Sequence, residues 1–255
     1  MRFGLISAVI VSIFSTLLVG HTQAQTDKDL TIATVLSKHI TAMGGREAIE
    51  SIENLRIHLV IEEPEFTLRG DYRVSNDGMM RIDVYDGEST VFSEGVDEFG
   101  GWQQFGEATP IEDLSTDGYA ALVRGIDQNL YGLLGLTERG HTADLLESIT
   151  HSGVNYQRVR VIMNDGFERH YFINPETWLI DYTRVTSALH PDLDPEQKPV
   201  ESYNSEFMDI CGVKKNRRIQ SIELRSGDQI QQSTITDSQC NLGSQQLDIT
   251  RPKVD

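Results

Sequence analysis

Apolar residues recur at two different periods along this chain, and the change of period separates helical from extended segments. Within residues 30–43 the apolar positions are three and four apart, which predicts an amphipathic helix. The residues of its inward stripe are Ile32, Val35, Leu36, Ile40 and Met43. Lys38, His39 and Thr41 are predicted to point away from that stripe. A double glycine then ends the helix, and a second short helix is predicted over 46–52.

From Leu55 the period changes to two, which indicates strands with one buried face. Turn sequences such as Asn76-Asp77-Gly78 separate the runs. The predicted strands are 55–61, 66–74, 80–84, 90–96, a short strand from Trp102, 143–150, 154–163, 167–174, 178–187, 200–207, 217–225 and 228–236. Short turns make neighbouring strands antiparallel, so the sequence predicts a mainly β (α+β) fold of about eleven or twelve strands. A sheet of this size curls or closes, and helices can fill its hollow.

Residues 113–136 interrupt the strands with a second helical pattern. Its apolar positions are Tyr119, Leu122, Val123, Ile126, Leu130, Leu133 and Leu134. Glycines at 125, 132 and 135 weaken the helix, so we expect this segment to be the mobile element of the fold. Residues 190–199 are predicted to form a surface loop or a mobile flap.

The first 24 residues have the pattern of a secretory signal peptide: a basic start at Arg2, an apolar core over 5–19 and small residues two apart at Thr22 and Ala24. Cleavage after Ala24 would leave one domain, 25–255, in an exported and soluble protein. The alternative is an uncleaved membrane anchor, which the serine and threonine residues within the apolar core disfavour.

The chain is strongly acidic, with a net charge of −17. Such a surface repels nucleic acids and anionic membranes, which excludes both as main partners. One basic run, Lys214-Lys215-Asn216-Arg217-Arg218, stands against this background. It is either a docking surface for an acidic partner or a polar strand start that faces water.

Cys211 and Cys240 are the only cysteines, and in an oxidising compartment they are expected to form a disulfide. No two histidines lie at metal-ligand spacing, and no nucleophile elbow, phosphate loop or dinucleotide fingerprint occurs. We therefore predict no catalytic residue, no metal and no cofactor. A hydrolase using a carboxylate pair, Asp83 with Asp86 or Asp192 with Asp194, is a distant alternative.

Several short motifs resemble one family of exported proteins. They are Ala42-Met43-Gly44-Gly45 with Ala48, Ile49, Ile52 and Leu55; Asp165-Gly166; Ile173-Asn174-Pro175-Glu176-Thr177; Gly212-Val213; and Asn241-Leu242 with Arg251-Pro252. Together they resemble the periplasmic lipoprotein carriers and outer-membrane lipoprotein-sorting proteins over nearly the whole mature chain, although Ile249 stands where a phenylalanine is common. The resemblance implies an unclosed antiparallel β-barrel, with helices covering or plugging a concave face that holds acyl chains.

The resemblance also implies a ligand and a location. The predicted ligand-binding residues are Leu36, Ile40, Ile57, Leu59, Leu68, Tyr72, Ile82, Val84, Trp102, Leu122 and Ile126. The ligand would be a lipidated protein or another lipid in the periplasm, with an inner-membrane exporter or an outer-membrane acceptor as a further partner. The alternative is a periplasmic protein-interaction or sensor module, in which the same apolar face is a dry core. Cavity volume distinguishes the two.

Overall fold

The structure, a computed structural model, describes residues 30–252. Its strands are β1 (Asn54–Glu63), β2 (Phe66–Ser75), β3 (Met80–Asp86), β4 (Ser89–Asp97), β5 (Gly100–Gln104), β6 (Glu112–Asp113), β7 (Thr142–His151), β8 (Val154–Ile162), β9 (Glu168–Ile173), β10 (Ile180–Ser187), β11 (Lys198–Ile210), β12 (Val213–Glu223) and β13 (Gln229–Cys240). Its helices are α1 (Ile32–Ala42), α2 (Arg46–Glu50), α3 (Thr116–Leu130) and α4 (Ser244–Leu247). The predicted signal peptide, 1–24, lies outside the described residues, and the division into leader and single domain stays a prediction.

All the strands join one antiparallel sheet in the order β6-β5-β4-β3-β2-β1-β13-β12-β11-β10-β9-β8-β7. Consecutive strands pair as a meander, and β1 and β13 pair at the centre. Among the described residues β6 and β7 are the two edges, and α3 connects them, so the barrel is unclosed. The predicted mainly β, unclosed barrel is confirmed, with thirteen strands among the described residues instead of about eleven or twelve. The two-residue strand β6 is too short to show an alternating pattern.

The strand register assigns each side chain to one of two faces. Ile57 lies opposite Tyr72, and Tyr72 lies opposite Ile82. These residues pack toward α3, and we call their face the helix side. Arg73 and Arg81 alternate with them along the strands and occupy the other face, which we call the outer side.

On the helix side the main core gathers apolar residues of β1–β4, α2, α3 and the β11–β12 turn. Its buried members are Ile49, Ile52, Leu55, Ile57, Val74, Met80, Val96, Ile126, Leu130, Leu134, Ile210 and Val213. The predicted helix over 113–136 is confirmed as α3, which ends at Leu130. Gly132 and Gly135, at φ 56° and 63°, then turn the chain toward β7.

On the outer side of β1–β3 an ionic network lies under the C-terminal segment. Asp83 accepts hydrogen bonds from Arg73, at 2.8 Å, and from Arg81, at 2.9 Å. The same arginines donate to the backbone carbonyls of Asp248 and Thr250, at 3.0 and 2.8 Å. Paired charges and satisfied donors allow these groups to be buried.

Helix α1 buries Val35 of the predicted stripe, and it also buries one residue that was predicted to lie outside that stripe. The prediction that His39 points away is wrong, since this side chain is 3% exposed. Its Nδ1 lies 2.9 Å from the carbonyl oxygen of Trp178 in the β9–β10 turn. Burial lowers the pKa of His39, which favours the neutral imidazole. Apolar periodicity cannot detect a polar residue that is buried through a hydrogen bond.

Beneath α1, the motif Ala42-Met43-Gly44-Gly45 contacts the turn that contains Gly212-Val213. The amide of Lys214 donates to the carbonyl of Met43 at 2.7 Å, and a Cβ at Gly44 would overlap the carbonyl oxygen of Gly212. The predicted disulfide is present, with the Cα atoms of Cys211 and Cys240 6.7 Å apart. It ties the β11–β12 turn to the end of β13.

Candidate functional site

The structure brings together most of the predicted ligand-binding residues. One apolar cluster contains Ile40, Ile57, Leu59, Tyr72, Ile82, Leu122 and Ile126. Leu68 and Val84 also lie on the helix side, opposite Ile61 and Gly70. Leu36 lies elsewhere, with Ile40 in the wall of a cavity of about 440 Å³ between α1 and residues 133–138.

Trp102 was also predicted to bind the ligand, but the strand register places it on the outer side. It lies opposite Gly95, which lies opposite Arg81. Trp102 is 0% exposed, and its ring fills the space over Gly95, where an added Cβ would lie 2.7 Å from it. The guanidinium carbon of Arg81 lies 6.0 Å from the ring centroid. Trp102 therefore belongs to the packing of the outer side and not to a cavity beneath α3.

Coverage of the helix side decreases along β1–β3. Leu55 and Ile57 are 0% and 7% exposed, but Leu59 two positions further is only partly buried. We call Leu59, Leu68, Ile82 and Val84 the apolar row; all are partly exposed and all face the helix side. Gly70 lies between Leu68 and Tyr72 on the same face, and the Leu59 side chain occupies the space above it, 3.1 Å from where a Cβ would be. The helices of the chain thus cover one end of the apolar face and leave the apolar row partly open.

The N-terminal end of α3 is held by the loop that was predicted to be a flap. The Ser115 side chain caps the helix, accepting from the Gly118 amide at 3.0 Å, and the Ser115 amide donates to Asp192 at 2.9 Å. Nearby, His190 Nε2 lies 2.8 Å from Glu94 Oε2 on β4. Burial lowers the pKa of His190, but the bond to Glu94 and its charge outweigh burial, and the pKa is raised. This loop is therefore anchored to both α3 and β4.

The C-terminal end of α3 is held by two further polar contacts. Asn129 Nδ2 donates to the Tyr72 hydroxyl at 3.1 Å, and Lys215 Nζ donates to the Asn129 carbonyl at 2.6 Å. That carbonyl is one of the last four of the helix, which lack an intrahelical donor. Burial lowers the pKa of Lys215 to about 8.

The basic run 214–218 is not a continuous exposed patch. Lys215 points into the fold toward α3. Arg217 and Arg218 both pair with Glu206, each at 2.9 Å. The hypothesis that this run docks an acidic partner requires a continuous basic surface, and these contacts break that surface up.

A second region of the helix side, between α3 and β9–β12, is polar, and sequence reasoning missed it. It contains a cavity of about 520 Å³. Residues of its wall include Ala121, Arg124, Gly125 and Gln128 of α3 and Arg169, Val185, Ser187, Val200, Ser202 and Ser221 of the sheet. The sequence signal for this region is the polar residues at alternate positions of β10–β12, such as Ser202 and Ser221. Without knowledge of the helix above them, this pattern predicts a face exposed to solvent.

Within residues 30–252 no group of three or more His, Cys, Asp or Glu side chains could hold a metal ion. In the same part of the chain, no helix combines the length and the apolar character needed to cross a membrane.

No family model matches the sequence, and no curated protein matches it. Solved structures do match. A LolA superfamily protein from Nitrosomonas europaea is 11% identical and aligns with a TM-score of 0.57 over 87% of this chain and 98% of its own. A domain described as an outer-membrane lipoprotein-sorting protein, from Vibrio parahaemolyticus, is 8% identical, with a TM-score of 0.56 over 83% and 95%. A DUF1329 family protein from Desulfovibrio piger is 10% identical, with a TM-score of 0.55 over 84% and 94%. At these identities the likeness concerns the fold alone, and it confirms the predicted resemblance: the unclosed antiparallel barrel of this chain is similar in fold to these LolA superfamily and lipoprotein-sorting structures.

Proposed function

We propose that this protein is a periplasmic carrier that binds the acyl chain of a lipidated protein or of another lipid and transfers it toward the outer membrane. The observation that carries the proposal is the apolar row, an apolar surface on the helix side that α3 covers only in part. An apolar surface on the inner face of a sheet would normally be packed against the chain's own side chains. Its partial exposure leaves room for an external apolar group.

Hydrophobic burial supplies enough free energy for such a carrier. Each methylene transferred from water to an apolar site contributes about 0.8 kcal/mol. A stretch of about ten methylenes would therefore gain roughly 8 kcal/mol, which corresponds to micromolar affinity before the costs of ordering. No covalent chemistry is required.

Uptake and release would require α3 to move away from the sheet. Its ends are fixed by polar contacts, Ser115 with Asp192 and Asn129 with Tyr72. Each of these hydrogen bonds contributes little net free energy to the closed position of α3, because water can bond to both partners when the contact breaks. Gly132 and Gly135 follow the helix at positive φ and are suited to act as a hinge. These features support α3 as the mobile element that the sequence predicted, acting as a lid over the inner face of the sheet.

The test begins with protein purified from the periplasmic fraction without detergent. Extraction and mass spectrometry should recover bound lipid, and the intact mass should show a chain that begins after Ala24. A fluorescent fatty acid should bind to the delipidated protein. Absence of both recovered lipid and fatty-acid uptake would refute the carrier function.

Two neighbouring residues of β1 give a matched pair of variants. Leu59 faces the apolar row and Val60 faces the outer side, and both are partly exposed. Leu59→Gln should weaken fatty-acid binding by about tenfold, the effect of losing the burial of most of a leucine side chain. Val60→Gln should leave binding unchanged. Equal loss in both variants would show that binding does not occur on the helix side.

A further inference from the structure

The inner face of the barrel has two chemistries, and α3 lies between them. Toward β1–β4, α3 presents Leu122, Ile126 and Leu130, spaced four apart. Toward the cavity of about 520 Å³ it presents Ala121, Gly125 and Gln128. An interior that is apolar on one side and polar on the other matches an amphipathic molecule better than a plain hydrocarbon.

Two arginines, Arg124 and Arg169, line this polar cavity, and Arg169 is the one without a paired carboxylate among the described residues. It lies opposite Val185 on β10, and both residues line the cavity. Its Nε is buried and has no hydrogen-bond partner, and the ring of Phe167 lies 5.7 Å from its guanidinium carbon. By contrast, the nearby Arg124 and Arg184 are each paired with a carboxylate. Among the described residues, no ion pair includes Arg169.

The acidic residues of the cavity wall are engaged elsewhere. Asp165 accepts from Arg124 at 2.6 Å. Asp117 is exposed in the first turn of α3, where the helix dipole favours a negative charge. Neither carboxylate forms an ion pair with Arg169. Its side chain is partly buried and forms a side-chain hydrogen bond with the Tyr171 hydroxyl, which carries no charge, so the guanidinium has no anion beside it.

Hydroxyl groups lie on the same face of the sheet as Arg169, on the strands β10, β11 and β12. Thr183 lies opposite Ser202, and Ser202 lies opposite Ser221 on the next strand. The Oγ atoms of Ser202 and Ser221 are 2.9 Å apart and line the cavity. A hydroxyl can donate to an anionic oxygen, and a guanidinium can bind two such oxygens at once.

We propose that this cavity binds the anionic head group of the carried lipid, a phosphate or similar oxyanion, with Arg169 as the main ligand and the hydrogen-bonded pair of Ser202 and Ser221 as an additional donor. The proposal rests on the carrier function and specifies its ligand: an anionic lipid with its acyl chain beside the apolar row. The chain's net charge of −17 disfavours adsorption of anions to the outer surface, so measured anion binding would report on the interior.

The test compares two lipids that share an acyl chain and differ in one phosphate: oleoyl lysophosphatidic acid and monooleoylglycerol. The delipidated full-length protein should bind the phosphate lipid at least about tenfold more tightly, since one charge-assisted bidentate contact is worth that factor or more. Arg169→Gln should remove this preference and leave monooleoylglycerol binding unchanged, and Arg169→Lys should restore part of it. Arg158→Gln, on the neighbouring strand and the outer side, is the matched control and should have no effect.

Each other outcome has a distinct meaning. Equal affinity of the wild type for both lipids would overturn the head-group site and leave the carrier function standing. Binding of neither lipid would overturn both. If inorganic phosphate alone displaces the phosphate lipid at millimolar concentration and protects the protein from thermal unfolding, the site is one for free phosphate, and the lipid assignment is wrong.

A second variant covers the case in which Arg169→Gln does not fold. A Cβ added at Gly125 would meet no atom within 4 Å, so this position has open space on the cavity side of α3. Gly125→Leu should fold, because leucine is the better helix former, and should fill part of the cavity. It should lower the affinity for the phosphate lipid more than that for monooleoylglycerol. An unchanged ratio of the two affinities would contradict the proposal.

Discussion

The substitution Lys215→Met tests how α3 is held against the sheet. Lys215 is the donor to the Asn129 carbonyl near the end of α3, and burial lowers its pKa to about 8. Methionine has a similar length and no charge, so the variant removes the titrating group with little change in packing volume. The variant should change how stability depends on pH.

The sign follows from proton binding. The pKa of Lys215 is about 8 in the folded chain and 10.5 for an ordinary lysine. Between these values the unfolded chain binds more protons than the folded chain, so the free energy of unfolding rises with pH. From pH 7 to pH 9 this one group should add about 1 kcal/mol to wild-type stability, out of a full effect of roughly 3 kcal/mol.

The difference in the free energy of unfolding between Lys215→Met and wild type at neutral pH does not test this reasoning well. Methionine removes the cost of a buried ammonium, but it also removes a hydrogen bond of comparable size to a carbonyl near the end of α3. These two effects do not cancel in the pH dependence of the free energy of unfolding. Other titrating groups are common to both proteins, so the difference between their slopes belongs to Lys215.

Urea unfolding at pH 7, 8 and 9 measures this difference. Wild type should gain about 1 kcal/mol relative to Lys215→Met across that range. Lys214→Met changes the exposed neighbouring lysine and should keep the wild-type slope. If Lys215→Met gains as much as wild type, the ammonium is not buried beneath α3, and the attachment of the lid through Lys215 is wrong.

Four further changes have outcomes set by local geometry, each measured by urea unfolding. Gly125→Ala should raise the free energy of unfolding by about 0.5–1 kcal/mol, since its Cβ would meet nothing within 4 Å in the middle of a helix. Gly95→Ala should lower it by about 1–3 kcal/mol, because the new Cβ would lie 2.6 Å from the Met80 carbonyl oxygen and 2.7 Å from the Trp102 ring; a neutral result would contradict this close packing around Gly95. Cys240→Ser opens a loop with a sequence separation of 29 and should cost about 3–4 kcal/mol, after which dithiothreitol should have no further effect. The pKa of His190 is raised above 6.5, so its contribution is present below that pH and is lost as pH rises through the folded value; His190→Gln should therefore be less stable than wild type at acidic pH and approach it at alkaline pH.

The sequence predicted features whose signal extends over many residues. The strands have alternating runs bounded by turn residues, and α3 has an apolar stripe over four turns. The same alternation was enough to select Ile57, Tyr72 and Ile82 as residues of one face. These predictions succeed because a period of two or of 3.6 fixes the buried face without knowledge of the partner.

The errors occurred where the face depends on a partner that periodicity does not contain. Strand β5 has only five residues, so the face of Trp102 is set by its pairing with Gly95 on β4. His39 and Lys215 are polar residues that fold inward because each meets a backbone carbonyl, of Trp178 and of Asn129. A local sequence pattern contains no information about such distant acceptors.

The position of α3 explains why the two proposals concern one site. If α3 were only a structural plug, its cavity-facing positions would be expected to carry apolar side chains that fill the space to normal density. Instead it presents Gly125 and Gln128 to a cavity of about 520 Å³ and packs Ile126 against the apolar core on its other side. A helix of this kind leaves a polar space that water can fill when no ligand is present, and its displacement would open the polar cavity and the apolar row together. Variants on either side of α3 should therefore affect the binding of the same lipid, Leu59→Gln through its acyl chain and Arg169→Gln through its phosphate.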